Sequence, residues 1–157
     1  MKKKSKLYER IKNSIIVLNL RNKSREGILK ELVSYLTMDD KAKKILLKTL
    51  IKREELGSTT IGKGIAVPHA RTLLIKEFKV VIGLSRNGVN FDTKSHKLTH
   101  LFFLLLAPPR EASNTYLITL GKIAELAKNI GSDRRLLKVK KKSEFFEIIE
   151  DIEGKRT

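Results

Sequence analysis

The stretch GSTTIGKGIAVPHAR, residues 57–71, differs in composition from the rest of the chain. It holds three glycines, three hydroxyl residues, a proline, an arginine and one of the three histidines of the 157-residue chain. Glycine permits positive φ and close backbone approach, whereas proline fixes its own φ and biases the preceding residue towards extended backbone. The pattern predicts a short strand over residues 61–67 with a turn at each end, followed by a stiff backbone at His69.

Helical periodicity predicts two helices upstream of this stretch. Apolar residues recur at helical spacing, and the Ser and Asp residues that precede each pattern are favoured N-caps. The predicted limits are Ser24 to about Leu36, and Asp39 or Asp40 to about Glu55 with Gly57 ending the second helix. Residues 1–22 are predicted to be an irregular or strand-forming segment.

Two apolar runs downstream predict buried strands, FKVVIGL at residues 78–84 and LFFLLL at residues 101–106. The second run is apolar on both faces, as is typical of a central strand. Residues 90–92 are predicted as a short edge segment and residues 107–114 as a loop. Further helices are predicted from about Asn114 to Asn129, ending near Gly131, and after Ser143.

These elements predict a single α/β (α+β) domain over residues 1–157, with a central sheet flanked by helices. The absence of Cys excludes a disulfide framework and a thiolate metal site. The longest apolar run has seven residues, LFFLLLA, whereas a membrane-spanning helix needs about 20. The basic N-terminus is not followed by a signal-peptide cleavage pattern. We therefore expect a soluble, cytoplasmic protein without a membrane span.

The charge balance is the unusual bulk property of the chain. Lys and Arg number 34 against 17 Asp and Glu, which gives a net charge of +17. Such a balance suits a polyanionic partner such as nucleic acid, an anionic membrane or an acidic protein, and it also describes a solvated lysine-rich surface. Zinc-finger, helix-turn-helix and RNP-type patterns are absent from the sequence, which makes nucleic acid an unlikely partner by this criterion.

The residues around His69 suggest chemistry on a phosphoryl group. Imidazole is a good nucleophile near neutral pH because much of it is unprotonated. The hydroxyls at residues 58–60 and the guanidinium groups of Arg53 and Arg71 are donors of the kind that stabilise phosphoryl transfer. The alternative is a histidine that only satisfies hydrogen bonds in the structure.

Other chemistries fit these residues less well. The G-x-S-x-G pattern of a hydrolase nucleophile is absent. His96 and His100 are four residues apart, but neither H-E-x-x-H nor a third metal ligand accompanies them. GSTTIGKG is not a Walker A loop, because Gly64 stands where Ser or Thr is required.

The segment REELGSTTIGKGIAVPHAR, residues 53–71, resembles the active-site segment of the enzyme IIA domains of the phosphoenolpyruvate-dependent sugar phosphotransferase system. It is most similar to the fructose/mannitol branch, which includes the nitrogen-regulatory PtsN proteins and has the pattern R-E-x-x-x-S-T-x-I-G-x-G-[IV]-A-[IV]-P-H. The later segments VNFDTKSHKLTHLFFLLLAP, LITLGKIAELAKN and SEFFEIIEDI also resemble these domains. The resemblance covers about residues 10–152 and leaves two basic ends outside it.

The resemblance implies a single EIIA type-2 domain with a mixed β-sheet and helices on both faces. It also implies an enzymatic role as a phosphotransferase component, in which His69 is the phosphorylated nucleophile and Arg53 balances the phosphoryl charge. Ser58 and Thr59 match the hydroxyl pair of the family and would bind the phosphoryl group. The implied donor is HPr or a nitrogen-branch HPr-like phosphocarrier, and neither a metal nor an organic cofactor is implied.

The chain departs from the family pattern at Tyr116. The family usually carries a second histidine just before the Leu that opens the late helix, and here that segment reads TYLITL. Tyrosine can donate a hydrogen bond to a phosphoryl oxygen, but it cannot take up a proton near neutral pH as histidine can. Impaired phosphoryl transfer and harmless replacement are both open interpretations of Tyr116.

No enzyme IIB or IIC segment is recognisable in the sequence. The resemblance therefore implies either a component that serves a separate sugar permease through an enzyme IIB, or a regulator of a transporter or kinase, as PtsN proteins are. Residues 57–71 favour the PtsN branch. Two further hypotheses are a binding-only descendant of the fold with a basic docking surface, and a metal-dependent role through His96 and His100.

Overall fold

The computed structural model of the protein describes residues 6–111, 114–130 and 134–154. The helices in this part of the chain are α1 (Lys6–Ile11), α2 (Arg25–Ser34), α3 (Asp40–Leu56), α4 (Thr115–Ile130) and α5 (Lys142–Gly154), with a 3₁₀ helix at Arg134–Lys138. The strands are β1 (Ile15–Val17), β2 (Thr60–Gly62), β3 (Ile65–Ala66), β4 (His69–Arg71), β5 (Lys79–Val89) and β6 (Thr99–Ala107).

The strands form one mixed sheet with the order β1-β5-β6-β3-β2, and β4 also pairs with β6. β5 and β6 are antiparallel, whereas β1 is parallel to β5 and both β3 and β4 are parallel to β6. β6 is therefore the central strand, as its apolar sequence predicts. The ladder between β5 and β6 is the longest pairing in the sheet.

β3 and β4 share one edge of β6, one after the other. Ile65 lies opposite Leu101, and His69 lies opposite Leu105. Between the two strands, the carbonyl of Pro68 accepts a hydrogen bond from the Leu105 amide at 3.0 Å. Proline has no N–H to give to a ladder, so Pro68 interrupts the edge without breaking its contact with β6.

Each face of the sheet is covered by helices and has its own apolar core. One core joins alternate residues of β5 and β6 to α1, α4 and α5, and its largest fully buried side chains include Phe103 and Phe145. The other core joins the intervening strand residues to α2 and α3 and contains Phe102 and Phe91. The predicted mixed sheet with helices on both faces is confirmed.

The two upstream helices begin at the predicted caps. The Ser24 hydroxyl accepts a hydrogen bond from the Gly27 amide at 3.0 Å, and the Asp39 carboxylate accepts one from the Ala42 amide at 2.7 Å. Gly57 ends α3, as predicted. Each cap satisfies an amide that has no partner within the helix.

Three local predictions were wrong. The N-terminal segment, predicted to be irregular or strand-forming, contains the strand β1 but also a helix, α1, whose Leu7 and Ile11 are fully buried. Six residues are too few to show helical periodicity in sequence. The predicted single strand at residues 61–67 is a hairpin, β2 and β3, that turns at Lys63 with a φ of 56°. Residues 90–92 follow β5 instead of forming an edge strand, and Phe91 is fully buried.

The surroundings of Gly83 in β5 leave no room for a side chain. A Cβ atom at this position would lie 2.6 Å from Leu20 Cδ1 and 2.8 Å from Leu32 Cδ2. Leu32 is fully buried in α2, so it cannot turn away from an added methyl group without moving the helix.

Within the described part of the chain, no helix is long and apolar enough to cross a membrane.

We expect Gly83→Ala to lower the free energy of unfolding by about 1–3 kcal/mol, because it overpacks a filled core. Urea unfolding measures the change. Gly121→Ala is the matched control, since Gly121 lies in α4 with nothing within 4 Å of its added Cβ. That control should be stabilised by up to about 1 kcal/mol through helix propensity. Equal stability of the two variants would contradict the packing described at Gly83.

Candidate functional site

His69 is held at the start of β4 by contacts on both sides. It follows the buried Pro68 and lies opposite Leu105 of the central strand. The preceding residue, Val67, donates its amide to the Thr59 carbonyl at 2.9 Å, which ties the approach to His69 to the loop that follows α3. The side chain of His69 is half-buried, so one part of the ring faces protein and another is accessible.

The imidazole of His69 has a defined tautomer. Its Nδ1 lies 2.7 Å from the carbonyl oxygen of Val67. A carbonyl oxygen only accepts, so Nδ1 carries a proton and donates it, and in the neutral ring the lone pair is on Nε2. Within the residues that the structure describes, Nε2 has no hydrogen-bond partner. The ring therefore presents an unoccupied nucleophilic nitrogen.

Tyr116 lies beside this imidazole at the start of α4. The centroids of the two rings are 6.0 Å apart and their planes are inclined at 62°. Tyr116 is buried, and its amide donates to the Glu111 carboxylate at 2.8 Å. The aromatic ring thus occupies a fixed place beside the His69 imidazole.

Two arginines bring positive charge to the same place. The Arg71 guanidinium lies over the Tyr116 ring, 4.5 Å from its centroid, in a cation–π contact. Burial raises the pKa of Tyr116 to about 12, although the positive charges of Arg71 and Arg53 act to lower it. Tyr116 is therefore a neutral hydrogen-bond donor at physiological pH, and both arginines lie within electrostatic reach of its hydroxyl.

Arg53 reaches the site from the last turn of α3. Its Nη1 donates to the Gly57 carbonyl at 2.7 Å, at the C-terminus of the same helix. This bond uses one of the five N–H donors of the guanidinium and leaves the others for an anion. Arg53 is half-buried, which limits the number of positions that its long side chain can take.

Glu54, next to Arg53, organises the loop that carries the predicted hydroxyl pair. Glu54 is 3% exposed, and its carboxylate accepts hydrogen bonds from the Thr59 amide at 3.0 Å and from the Thr59 hydroxyl. The hydroxyl proton of Thr59 is thus engaged inside the protein in this structure. Sequence reasoning gave Glu54 no role, although its presence in the R-E pair of the motif was the available signal.

Ser58 is the exposed member of the predicted hydroxyl pair. Its Oγ lies 2.9 Å from the Thr60 hydroxyl and accepts a hydrogen bond from the Thr60 amide at 3.2 Å. This local turn holds the Ser58 side chain at the surface of the loop. The structure places Ser58 on the loop that Glu54 fixes, whereas His69, Tyr116, Arg71 and Arg53 form the cluster of imidazole, phenol and guanidinium groups.

The two other histidines lie outside this cluster. His100 is half-buried, and its Nδ1 lies 2.9 Å from the Ser85 carbonyl, while His96 is exposed in the loop before β6. Among the described residues, no group of three His, Cys, Asp or Glu side chains could hold a metal ion. The metal hypothesis for His96 and His100 therefore has no third ligand in this part of the chain.

The arrangement at His69 suits the binding and transfer of a dianionic group. A free imidazole nitrogen lies beside two guanidinium groups and a neutral phenol, which are donors and charges that an oxyanion attracts. The site also lies at the N-terminal end of α4, where the helix dipole favours negative charge and where the Glu111 carboxylate already accepts the Tyr116 amide. Positioning and charge stabilisation are what phosphoryl transfer chiefly needs.

Comparison with known proteins agrees with this chemistry. Residues 9–152 match the family model described as "Phosphoenolpyruvate-dependent sugar phosphotransferase system, EIIA 2". The chain is 30% identical over 149 residues to the fructose-specific EIIABC component of Bacillus subtilis, a match that covers 92% of this chain and 23% of that protein. It is 31% identical over 112 residues to the nitrogen regulatory protein of Escherichia coli, covering 70% of this chain and 68% of that protein.

Two solved structures share the fold. The nitrogen regulatory protein IIA-Ntr of Neisseria meningitidis aligns with a TM-score of 0.71 and 29% identity over 85% of this chain and 92% of that one. The mannitol IIA of Escherichia coli aligns with a TM-score of 0.68 and 18% identity over 85% and 94% of the two chains. From the motif, the fold and these matches, the chain belongs to the EIIA type-2 family of the phosphoenolpyruvate-dependent sugar phosphotransferase system.

Proposed function

We propose that the protein is a phosphocarrier that accepts a phosphoryl group on Nε2 of His69 from HPr or an HPr-like phosphocarrier. The observation that carries the proposal is the 2.7 Å hydrogen bond between Nδ1 and the Val67 carbonyl. It fixes the proton on Nδ1 and leaves the lone pair on Nε2. No metal or organic cofactor takes part in the proposed reaction.

The proposed step is an exchange of one N–P bond for another. The Nε2 lone pair of His69 attacks the phosphorus of the donor's phosphohistidine, and the donor's N–P bond breaks with its electron pair returning to the donor ring. Positive charge develops on the His69 ring as the new bond forms. The Val67 carbonyl stabilises that charge through the Nδ1–H that it already accepts.

Arg53, Arg71 and Tyr116 are proposed to stabilise the transferred group. The two guanidinium groups balance the charge of the phosphoryl oxygens, and the phenol donates one hydrogen bond to them. Arg71 is aligned by its contact with the Tyr116 ring at 4.5 Å. Tyr116 thus takes the place of the family's second histidine as a donor that does not titrate.

The two members of the hydroxyl pair are proposed to act differently. Ser58 is exposed on its loop and donates to the phosphoryl group. Thr59 is buried and bonded to Glu54, so its main effect is to position the loop. The direct phosphoryl contact predicted for Thr59 from the family motif remains a prediction.

The biological use of the phosphoryl group is proposed to be regulatory. The nitrogen regulatory relatives are similar in length to this chain, and residues 57–71 resemble the PtsN branch. In that case the phosphorylation state of His69 would control a transporter or kinase in the cytoplasm. Onward transfer to an enzyme IIB is the corresponding proposal if the chain serves a sugar permease.

A binding-only function is the second candidate. It is motivated by Tyr116 in place of the second histidine and by the net charge of +17. In this case His69 would not be phosphorylated, and the basic surface would bind an acidic protein or nucleic acid. Phosphorylation of His69 separates the two candidates.

We expect incubation with phosphoenolpyruvate, enzyme I and HPr to add one phosphoryl group to the wild-type protein and none to His69→Ala. Intact mass measurement under mild alkaline conditions reads the result, because a phosphoramidate bond is labile in acid. His96→Ala is the matched control and should be labelled as the wild type is, since His96 is exposed and away from the cluster. Unlabelled wild type beside a labelled EIIA control would favour the binding-only candidate.

We expect Tyr116→Phe to slow phosphoryl transfer about tenfold. This factor corresponds to the lower end of the free energy that one hydrogen bond to a charged group contributes. The remaining ring still supports Arg71. The wild-type rate should show no ionisation of Tyr116 between about pH 6 and pH 9, because the pKa of Tyr116 is raised to about 12. Tyr116→His should add a pH dependence near 6.5, the usual pKa of histidine. Time courses of phosphoryl transfer, quenched at intervals across this pH range, measure both effects. An unchanged rate for Tyr116→Phe would contradict the proposed role of the Tyr116 hydroxyl as a hydrogen-bond donor.

We expect Thr59→Val to lower the free energy of unfolding by about 1–3 kcal/mol, because the Glu54 carboxylate loses a buried donor. Urea unfolding and the initial rate of transfer are measured together. Ser58→Ala is the control and should leave stability unchanged while slowing transfer. Slower transfer by Thr59→Val with unchanged stability would show instead that Thr59 is a direct ligand of the phosphoryl group.

A further inference from the structure

Three leucines beside the site are unusually exposed. Leu56 is 87% exposed, Leu73 is 89% exposed and Leu117 is 54% exposed. No other large apolar side chain in the described part of the chain is more than half exposed. Leu56 follows Arg53 by three residues, Leu73 follows Arg71 by two, and Leu117 follows Tyr116 directly. We call these three residues the leucine surface.

The placement of the leucine surface distinguishes it from scattered exposed residues. Single exposed leucines are normal on a protein, but apolar side chains gathered around a site mark an interaction surface. Each leucine is borne by a different segment, namely the end of α3, the turn after β4 and the start of α4. The three segments meet at the His69 cluster through Arg53, Arg71 and Tyr116.

The exposed face of α3 carries positive charge to the edge of the same surface. Lys41, Lys44, Lys48 and Lys52 are all exposed, and at 100° per residue they fall within an arc of about 80°. Among the described residues, none of the four makes an ion pair. This lysine stripe ends one residue before Arg53 and one helical turn before Leu56.

Most carboxylates in the segments around the site are already engaged. Glu54 is buried and bonded to Thr59. Glu77 makes an ion pair with Lys79 at 3.1 Å, and Glu111 accepts from the Tyr116 amide. Glu55, exposed directly before Leu56, is not engaged in this way by any described residue. The exposed cations of α3 therefore outnumber the free carboxylates at the end of this helix.

We infer that the leucine surface and the lysine stripe form the docking surface for a phosphoryl donor whose own docking face is apolar at its centre and acidic around it. This inference rests on the proposed function and adds the chemistry of the partner. The exposed leucines supply the apolar centre of the interface, as in other protein–protein contacts. The lysine stripe steers an acidic partner and raises the rate of association.

The test compares two charge variants of one donor. Purified HPr is phosphorylated with phosphoenolpyruvate and enzyme I, once with the exposed residues flanking its phosphohistidine changed to Glu and once with them changed to Lys. We expect the Glu form to transfer to this protein at least about tenfold faster at low salt, and the difference to shrink as ionic strength rises. Equal rates, or faster transfer from the Lys form, would overturn the inference.

Variants of this chain locate the surface. Lys48→Glu combined with Lys52→Glu should remove the preference for the Glu form of the donor. The control is Lys128→Glu combined with Lys30→Glu, which makes the same change in net charge at exposed positions of α4 and α2. Lys128 lies 12 residues after Tyr116, which is about 18 Å along the helix. An equal effect of the control pair would overturn the assignment to α3.

The leucines are tested in the same assay. Leu56→Ser combined with Leu73→Ser should raise the KM for phospho-HPr about tenfold, as for the loss of an apolar interface centre, and leave the maximal rate nearly unchanged. Leu98→Ser is the control, since Leu98 is 47% exposed beside the opposite end of β6 from the residue that pairs with His69. An unchanged KM for the double variant would overturn the role of the leucine surface.

A small phosphoryl donor separates this inference from the proposed function. Phosphoramidate needs no docking surface, so every surface variant should be labelled by it on His69 as the wild type is. Failure of the wild type to accept phosphate from both phosphoramidate and phospho-HPr would overturn the phosphocarrier function itself, and with it the inference. If the lysine variants lose binding of fluorescent oligo(dT) while their transfer from both donors is unchanged, the stripe serves nucleic acid and the inference is overturned.

Discussion

The pairing of β6 with strands on both of its edges is the constraint on which the rest of the structure depends. β5 occupies one edge, and β3 followed by β4 occupies the other. Because β6 is buried on both faces, its side chains take part in both apolar cores at once. The His69 imidazole is positioned by this strand, since His69 lies opposite Leu105. The buried central strand therefore supports the half-buried imidazole of His69.

The candidate site is assembled from segments that are distant in sequence. Arg53 and Glu54 are consecutive, and successive side chains on a helix point about 100° apart, so one reaches the site while the other enters the interior. Arg71 and Tyr116 come from a strand and a helix that meet through a cation–π contact at 4.5 Å. Each charged or polar side chain of the site is therefore positioned by the helix or strand to which it belongs.

Much of the fold could be predicted from the sequence, because the elements that matter have strong local signals. Ser24 and Asp39 are N-caps as expected, and the apolar run at residues 101–106 is the central strand. The helix α1 was missed because a six-residue helix shows only one pair of buried residues. The hairpin of β2 and β3 was missed because Gly62 and Gly64, which have positive φ on either side of Lys63 and form the turn, lie inside the predicted strand.

The site was predictable in its residue types but not in its contacts. The family motif singled out His69 and Arg53, and the phenol of Tyr116 was recognised as a departure from it. The tautomer of His69 depends on a carbonyl two residues earlier, which sequence does not reveal. The hydrogen bond between Thr59 and Glu54 could not be predicted either, because the sequence motif is the same whether the Thr59 hydroxyl faces a ligand or the interior.

The bond between Glu54 and Thr59 also has a consequence for the dynamics of the site. Opening the loop after α3 would expose a buried carboxylate and break its bonds to the Thr59 amide and hydroxyl. Loops held in this way open only with the elements to which they are bound, so the loop belongs to the cooperative unit of α3 and does not act as a lid. A partner that binds on this side would therefore meet a preformed surface, and little conformational entropy would be lost by ordering it.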